Sequence, residues 1–436
     1  MNGRIPGPSM TTTLRGLLPV PFRRFPTFLR DATARYGNVV SFALPWRSYV
    51  FVNDPAPIKE ILVTQQAAFS KSLGTRVLRL LLGDGLLTSE YPRHRQMRRI
   101  VQPAFHRERI AGYERIMQRD AAECAERLPS DGVFDAHEGM QELTLRIATE
   151  TLFGTDASGS ATLVRDALRL MMNEFPHMLT PLGSLRVRLP LPTTRRFWNA
   201  RAMLDEVVYD LIAQRRAAPH GRTDALSLLL AARDAERDDR PSDEQIRDEI
   251  MTLFMAGHET TANALTWSLV LLAQHPDIQL RAAASASHGD REYLLRVVKE
   301  VLRLYPPAWI IGRESLRDVT LDGGVGIPAG TTVFMAPLLL HRRPEFFDDA
   351  ERFNPDRWLG DEPPPFSYIP FGAGARRCIG EEFAWQETVI VLEALLCERR
   401  FELQGRDPEV AALVTLRPAG PVPMRATSRV ANVLKR

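Results

Sequence analysis

Phe371 to Gly380 reads FGAGARRCIG. Three glycines and one cysteine in ten residues predict a tight loop. The apolar positions Phe383, Ala384, Val389, Ile390 and Leu392 follow it and predict a helix that runs to about Cys397. Cys378 therefore falls at a helix start, where unsatisfied N–H groups and the positive dipole end favour a thiolate over a thiol. Gly372, Gly374 and Gly380 remove side chains where backbone must approach a flat partner, and Arg376 and Arg377 add positive charge. An isolated Cys-Gly pair would be read as an inert thiol behind a turn. Ten residues of this kind are read as a loop built to present one sulfur.

Working outward, the clearest helix begins at Ser242, where Ser242 and Gln245 have the spacing of a capping box and Pro276 lies beyond the end. Met251 to Ala273 is apolar on nearly every face, so the helix must run through an interior. Within it, Ala256 to Ala262 reads AGHETTA. Small residues at 256 and 257 allow close approach of a planar group. Thr260 can direct its hydroxyl to the carbonyl of Ala256 and loosen the helix. Glu259, in an apolar setting, is expensive unless it has a partner or a task.

Glu300 and Arg303 share a helix face before Pro306-Pro307, and Phe353 to Trp358 reads FNPDRW. His94 and Arg98 lie one helical turn apart in HRQMRRIVQPAF; Arg313 follows the double proline, and His341 opens HRRPEFF. Each of these alone would be read as a charged group facing water.

Together they resemble the cytochrome P-450 family. Phe371, Gly374, Arg376, Cys378 and Gly380 fill its haem-binding pattern FxxGxRxCxG, and AGHETT is similar to its oxygen-activation motif. The resemblance spans roughly residues 5 to 416. It implies a mainly α fold with a small β region, of triangular-prism architecture, as a single domain over residues 1–436. It implies haem b as cofactor, with the Cys378 thiolate as the iron ligand, Phe371 near the sulfur and Arg376 on a propionate. Further cofactor contacts would come from His94, Arg98, Arg313, His341 and Gly380. Glu259 and Thr260 would organise water and protons at bound dioxygen. Arg357 would complete a buried network with Glu300 and Arg303 that holds the cysteine loop. Implied partners are a lipophilic small-molecule substrate, dioxygen and a ferredoxin or flavodoxin-type electron donor with its reductase. The implied activity is monooxygenation; oxidative coupling, peroxygenase or dehydratase chemistry and a haem-based binding protein are the alternatives. The substrate would meet Leu80 to Leu82, Phe175 to Leu182, Phe254 and Met255, Ala308 to Ile311, and Val414 to Leu416.

Composition agrees with a globular enzyme: 436 residues, 44% hydrophobic and 25% charged, with a net charge of +3 that suggests no nucleic-acid partner. Only four of the 56 basic residues are lysines, Lys59, Lys71, Lys299 and Lys435. Cys124, Cys378 and Cys397 form an odd, sparse set without CxxC spacing, which disfavours a disulfide framework and a zinc site and suits the cytoplasm. No apolar run reaches the roughly 20 residues of a membrane span, so no transmembrane anchor is expected. Val39 to Leu44 and Ser48 to Val52 read as a hairpin, and Asp54-Pro55 as a helix start.

Overall fold

The computed structural model describes residues 5–17, 21–129, 132–154, 161–178, 183, 189, 191–218, 224–232 and 241–429. It is mainly helical with a small β region, as expected. Residues 179–182 of the expected substrate lining lie outside the described residues. The chain forms two compact units. The first comprises Met1–Val77, Leu302–Cys378 and Ala411–Arg417; the second comprises Leu78–Val301, Ile379–Val410 and Pro418–Arg436.

The first unit is organised by a five-stranded sheet of β1 (Val39–Leu44), β2 (Arg47–Val52), β3 (Phe69–Lys71), β4 (Ile311–Ser315) and β5 (Thr332–Met335), in the order β1-β2-β5-β4-β3. The predicted hairpin is present, with Val39 opposite Val52 and Leu44 opposite Arg47. Asp54 caps the next helix by accepting from the Ala56 N–H at 3.2 Å. Val50, Val52, Ile58, Ile61, Val333 and Met335 bury together as the core of this unit. Ile369 belongs to this core and Ala373 packs against it, which anchors the segment that ends at Cys378.

The second unit is helical: α1 (Arg93–Val101), α2 (Arg107–Arg127), α3 (Ala136–Phe153), α4 (Asp243–Gln274) and α5 (Pro276–Ser287). A sixth helix, α6 (Arg291–Leu304), carries Glu300 in this unit and Arg303 in the first, and α7 (Glu381–Glu398) follows the cysteine loop. The capping box of α4 is formed in both directions. Ser242 Oγ accepts from the Gln245 N–H at 3.2 Å, and Gln245 Oε1 accepts from the Ser242 N–H at 2.9 Å. From Ile246 to Leu272 nearly every residue of α4 is buried, which is why this helix can be apolar all round. It packs along α3, and α7 packs along α2 with Phe383 edge-on to Tyr113 and Phe105. Among the described residues, no helix is long and apolar enough to cross a membrane.

Candidate active site

In the first unit, the cysteine loop is a closed backbone device. The Cys378 N–H donates to the Phe371 carbonyl at 3.0 Å and the Arg377 N–H to the Gly374 carbonyl at 3.1 Å. Gly372 and Gly374 have φ of +69° and +71°, the left-handed region that favours glycine. Gly374 is further constrained: a Cβ there would lie 1.9 Å from the Leu62 carbonyl oxygen. Its missing side chain thus serves the approach of protein backbone. Gly380 has φ −93° and would meet only the Phe105 ring at ordinary contact distance. Cys378 lies two residues before this N-cap, and its side chain is exposed, while Phe371 and Arg376 are half-buried. The other cysteines behave differently. Burial pushes the Cys124 thiol up to about 11, and Cys397 is also raised by burial. Both stay thiols, which leaves Cys378 as the sulfur open to a ligand.

In the second unit, α4 supplies an open stripe within a buried helix. Ala256 is exposed and Gly257 and Thr260 are half-exposed, although their neighbours on either side are buried. Thr260 Oγ1 donates to the Ala256 carbonyl at 2.7 Å, the bond its spacing predicts. Glu259 points the other way. It is buried, and its two oxygens accept from Gln141 Nε2 and Asn263 Nδ2, each at 3.4 Å. Gln141 Nε2 lies 3.3 Å from His137 Nε2, and the other ring nitrogen of that histidine lies 3.4 Å from Thr266 Oγ1. His137 is half-exposed, so a polar path runs from the edge of α3 to the acid inside α4. The sequence reading missed His137 and Gln141. Their spacing of i and i+4 on an otherwise apolar helix face was the available signal.

His94 and Arg98 share one face of α1, the histidine buried and the arginine half-buried. Arg313 is half-buried on β4 and donates to the Gly312 carbonyl at 3.0 Å. His341 requires a correction. Its ring is fully buried, and its Nε2 accepts from the Ile369 N–H at 2.9 Å, so it is committed to backbone and does not present that nitrogen to a propionate. Burial, and then the charges of Arg303 and Arg342, lower its pKa to about 3, so the ring stays neutral. The expected network of Glu300, Arg303 and Arg357 also reaches backbone carbonyls. Arg303 is fully buried and donates to the carbonyls of His341, Ala350 and Arg352 at 2.9, 2.5 and 3.1 Å. Arg357 is only half-buried, and it donates to the carbonyls of Asp348 and Arg352 at 2.8 and 3.4 Å. Both arginines therefore tie down the 341–352 loop through backbone, and His341 passes that restraint to Ile369 at the head of the cysteine loop.

His341→Leu is expected to cost about 1–3 kcal/mol by orphaning the Ile369 N–H, and to lower haem content per chain. The sign with pH follows from its depressed pKa. The unfolded ring takes up a proton below about 6.5 while the folded one does not, so wild-type stability falls as pH drops through that range. In the leucine variant this part of the acid sensitivity disappears, and chemical denaturation at several pH values measures it. An unaltered pH slope would contradict the assignment.

Of the substrate-lining expectations, Leu81, Leu82, Phe254 and Met255 are buried. Phe254 packs on Phe153 with ring centroids 4.5 Å apart. The loop after Leu82 is pinned to α4, with the Asp84 N–H donating to Asp248 at 2.7 Å and the Leu86 N–H to Glu249 at 2.9 Å. Ala308 is exposed, and Ile310, Ile311 and Val414 are half-buried.

A glycine-closed loop with one exposed cysteine, in the first unit, and a helix of the second unit whose buried middle opens at Ala256, Gly257 and Thr260 are the features expected of a haem-thiolate oxidoreductase. The comparisons with known proteins agree: residues 6–418 match the family model for cytochrome P450, and the chain belongs to that family. It is 34% identical to pentalenene oxygenase of Streptomyces avermitilis over 96% of this chain and 97% of the relative. It is 35% identical to cyclooctatin synthase of Streptomyces melanosporofaciens, over 83% and 82%. It is 33% identical to cyclooctat-9-en-7-ol 5-monooxygenase of that organism, over 90% and 88%. A six-coordinated cytochrome P450 from Thermus thermophilus superposes with a TM-score of 0.76 at 29% identity, covering 97% of this chain and all of that one. The chain is an oxidoreductase of the monooxygenase type. The residues present fit a thiolate-bound haem, since the one exposed cysteine is the one in the glycine loop.

Proposed function

We propose that the chain uses haem b to insert one oxygen atom of dioxygen into a lipophilic small molecule by hydroxylation or epoxidation. Electrons would come from NAD(P)H through a separate ferredoxin or flavodoxin-type carrier and its reductase. The observation that carries this reading is the opening of α4 at Ala256, Gly257 and Thr260, with buried Glu259 behind it. Relatives named for pentalenene and for cyclooctat-9-en-7-ol support an apolar, ring-bearing substrate. Three cysteines, none of them in a disulfide, suit a cytoplasmic location.

A thiolate-ligated haem, when bound, supplies dioxygen binding and O–O cleavage. The roles of this chain follow from its own geometry. Cys378 gives the sulfur ligand, with Phe371 and Gly380 on either side of it in the chain. Arg98, Arg313, Arg376 and His94 are proposed to pair with the haem carboxylates. Thr260, its own hydrogen engaged by Ala256, keeps oxygen lone pairs with which to position water. Glu259 takes protons from the His137–Gln141 side and releases them toward that water. Exposed Arg95, Arg99, Arg107 and Arg109 offer a basic face to an acidic electron carrier, where such charges act chiefly on encounter rate.

Thr260→Ala is expected to keep the fold, the thiolate spectrum and substrate binding while peroxide replaces product. Glu259→Gln is expected to slow oxygen-dependent turnover by about 10²-fold, the scale of one lost acid–base group. Lipophilic compounds that shift the ferric Soret band would identify a substrate. Product and peroxide formed per NAD(P)H oxidised, with a surrogate redox chain, then test both variants. Wild-type coupling and rate in both would remove the oxygen-activation reading.

A further inference from the structure

In the second unit, the segment after the short helix Arg79–Leu82 is seated on the first third of α4. Asp248 and Glu249 are both buried there, and each accepts from one backbone N–H of that segment. The Asp84 N–H donates to Asp248 at 2.7 Å and the Leu86 N–H to Glu249 at 2.9 Å. The approach leaves no room for side chains. Gly83 has φ +69°, and a Cβ at Gly85 would lie 2.2 Å from Thr252 Oγ1 and 2.5 Å from the Asp248 carbonyl oxygen. Charged groups brace the seat. Arg247 donates to Asp248 at 2.9 Å and, through Nε, to Asp205 at 2.6 Å. Arg79 and Arg93 reach Asp84 at 3.0 and 3.5 Å. Asp205 lies on the helix Pro192–Ala217, whose Arg201 donates to the Leu80 carbonyl at 2.8 Å. The backbone held in this way flanks Leu81 and Leu82, and Phe254 and Met255 lie on α4 within two turns of the seat. Two buried carboxylates are a costly means of fastening a loop, and apolar contacts would often stabilise it as well. What charged acceptors add is a fixed hydrogen-bond geometry.

We propose that Asp248 and Glu249 determine substrate size, by setting how far the Leu81–Leu82 wall stands from Phe254 and Met255. The inference rests on the proposed function, in which these four residues line the substrate. Asp248 and Glu249 act through the Asp84 and Leu86 N–H groups and are positioning residues. The bulk of apolar group admitted between the wall and α4 is fixed by where the loop sits on the helix. Arg247 and Arg201 carry the same restraint to the helix Pro192–Ala217, so the wall does not shift alone.

The test uses the full, haem-loaded chain and two iron-binding probes, imidazole and 4-phenylimidazole, read from the ferric Soret shift. Glu249→Ala orphans the Leu86 N–H, whereas Glu249→Gln keeps a carbonyl oxygen to accept it. Gly85→Ala leaves both carboxylates in place and drives the loop off α4. In Glu249→Ala and Gly85→Ala, 4-phenylimidazole is expected to bind several-fold more weakly, because its ring loses the wall. Imidazole, which needs only the iron, is expected to bind as in the wild type, and Glu249→Gln is expected to restore the wild-type ratio of the two. Amide hydrogen exchange at residues 83–86 is expected to quicken in the same two variants and to recover in Glu249→Gln. Where Glu249→Ala accumulates too poorly to study, Gly85→Ala gives both readings. Faster exchange with an unchanged ratio of the two probe affinities would overturn the specificity role. Wild-type exchange in Glu249→Ala and Gly85→Ala would overturn the seat itself. A wild-type chain without the thiolate spectrum would overturn the proposed function and the specificity role with it, while exchange still reports on the seat.

Discussion

Cys378→His is expected to fold and to lose the strongly red-shifted ferrous–CO absorption of thiolate haem, together with oxygenase turnover. Only this cysteine combines an exposed side chain, a loop closed by its own N–H on Phe371, and a position two residues before a helix N-cap. Imidazole can still bind iron, but it donates less electron density than a thiolate and favours O–O cleavage less. Cys124→Ser and Cys397→Ser are expected to leave the band intact, since burial keeps both thiols protonated. The reduced, carbon-monoxide-bound spectrum of the three purified variants decides the matter. Retention of the band in Cys378→His would sink the ligand assignment.

The second large effect is expected at Arg303. Its guanidinium is fully buried, donates to the carbonyls of His341, Ala350 and Arg352, and lies 5.3 Å from the Phe347 ring centroid. Arg303→Leu removes a buried cation and orphans those carbonyls together, at a cost on the order of 3–5 kcal/mol. That is a large share of the roughly 5–15 kcal/mol that holds a domain folded. The variant is expected to accumulate poorly and to carry little haem. Glu300→Ala is expected to behave alike, because that carboxylate is also fully buried. Haem per chain and the denaturation midpoint measure both. A variant that folds and loads haem normally and loses only turnover would show that the network acts in chemistry and not in structure.

Local signals are legible before the chain folds. The β1–β2 hairpin, the Asp54 cap, the Ser242–Gln245 capping box and the helix after Cys378 each depend on residues within a few positions of one another. The Thr260 bond to Ala256 spans four residues and is equally readable. The pattern around Cys378 identifies the ligand loop because glycines at positive φ leave a mark in the sequence itself.

Other features require the folded chain. Whether Glu259 has a partner is not readable from AGHETTA, because Gln141 lies on another helix that must first dock against α4. His341 reads, by resemblance, as a cofactor contact; burial makes it a neutral acceptor for Ile369. Gly374 reads as a site of cofactor approach, yet the Leu62 carbonyl occupies that space. The amino-acid sequence by itself determined the helices, the hairpin and the sulfur-bearing loop, through capping, periodicity and glycine conformation. Only the tertiary structure decided which polar side chains meet and which remain alone, because burial is set by neighbours distant in the chain.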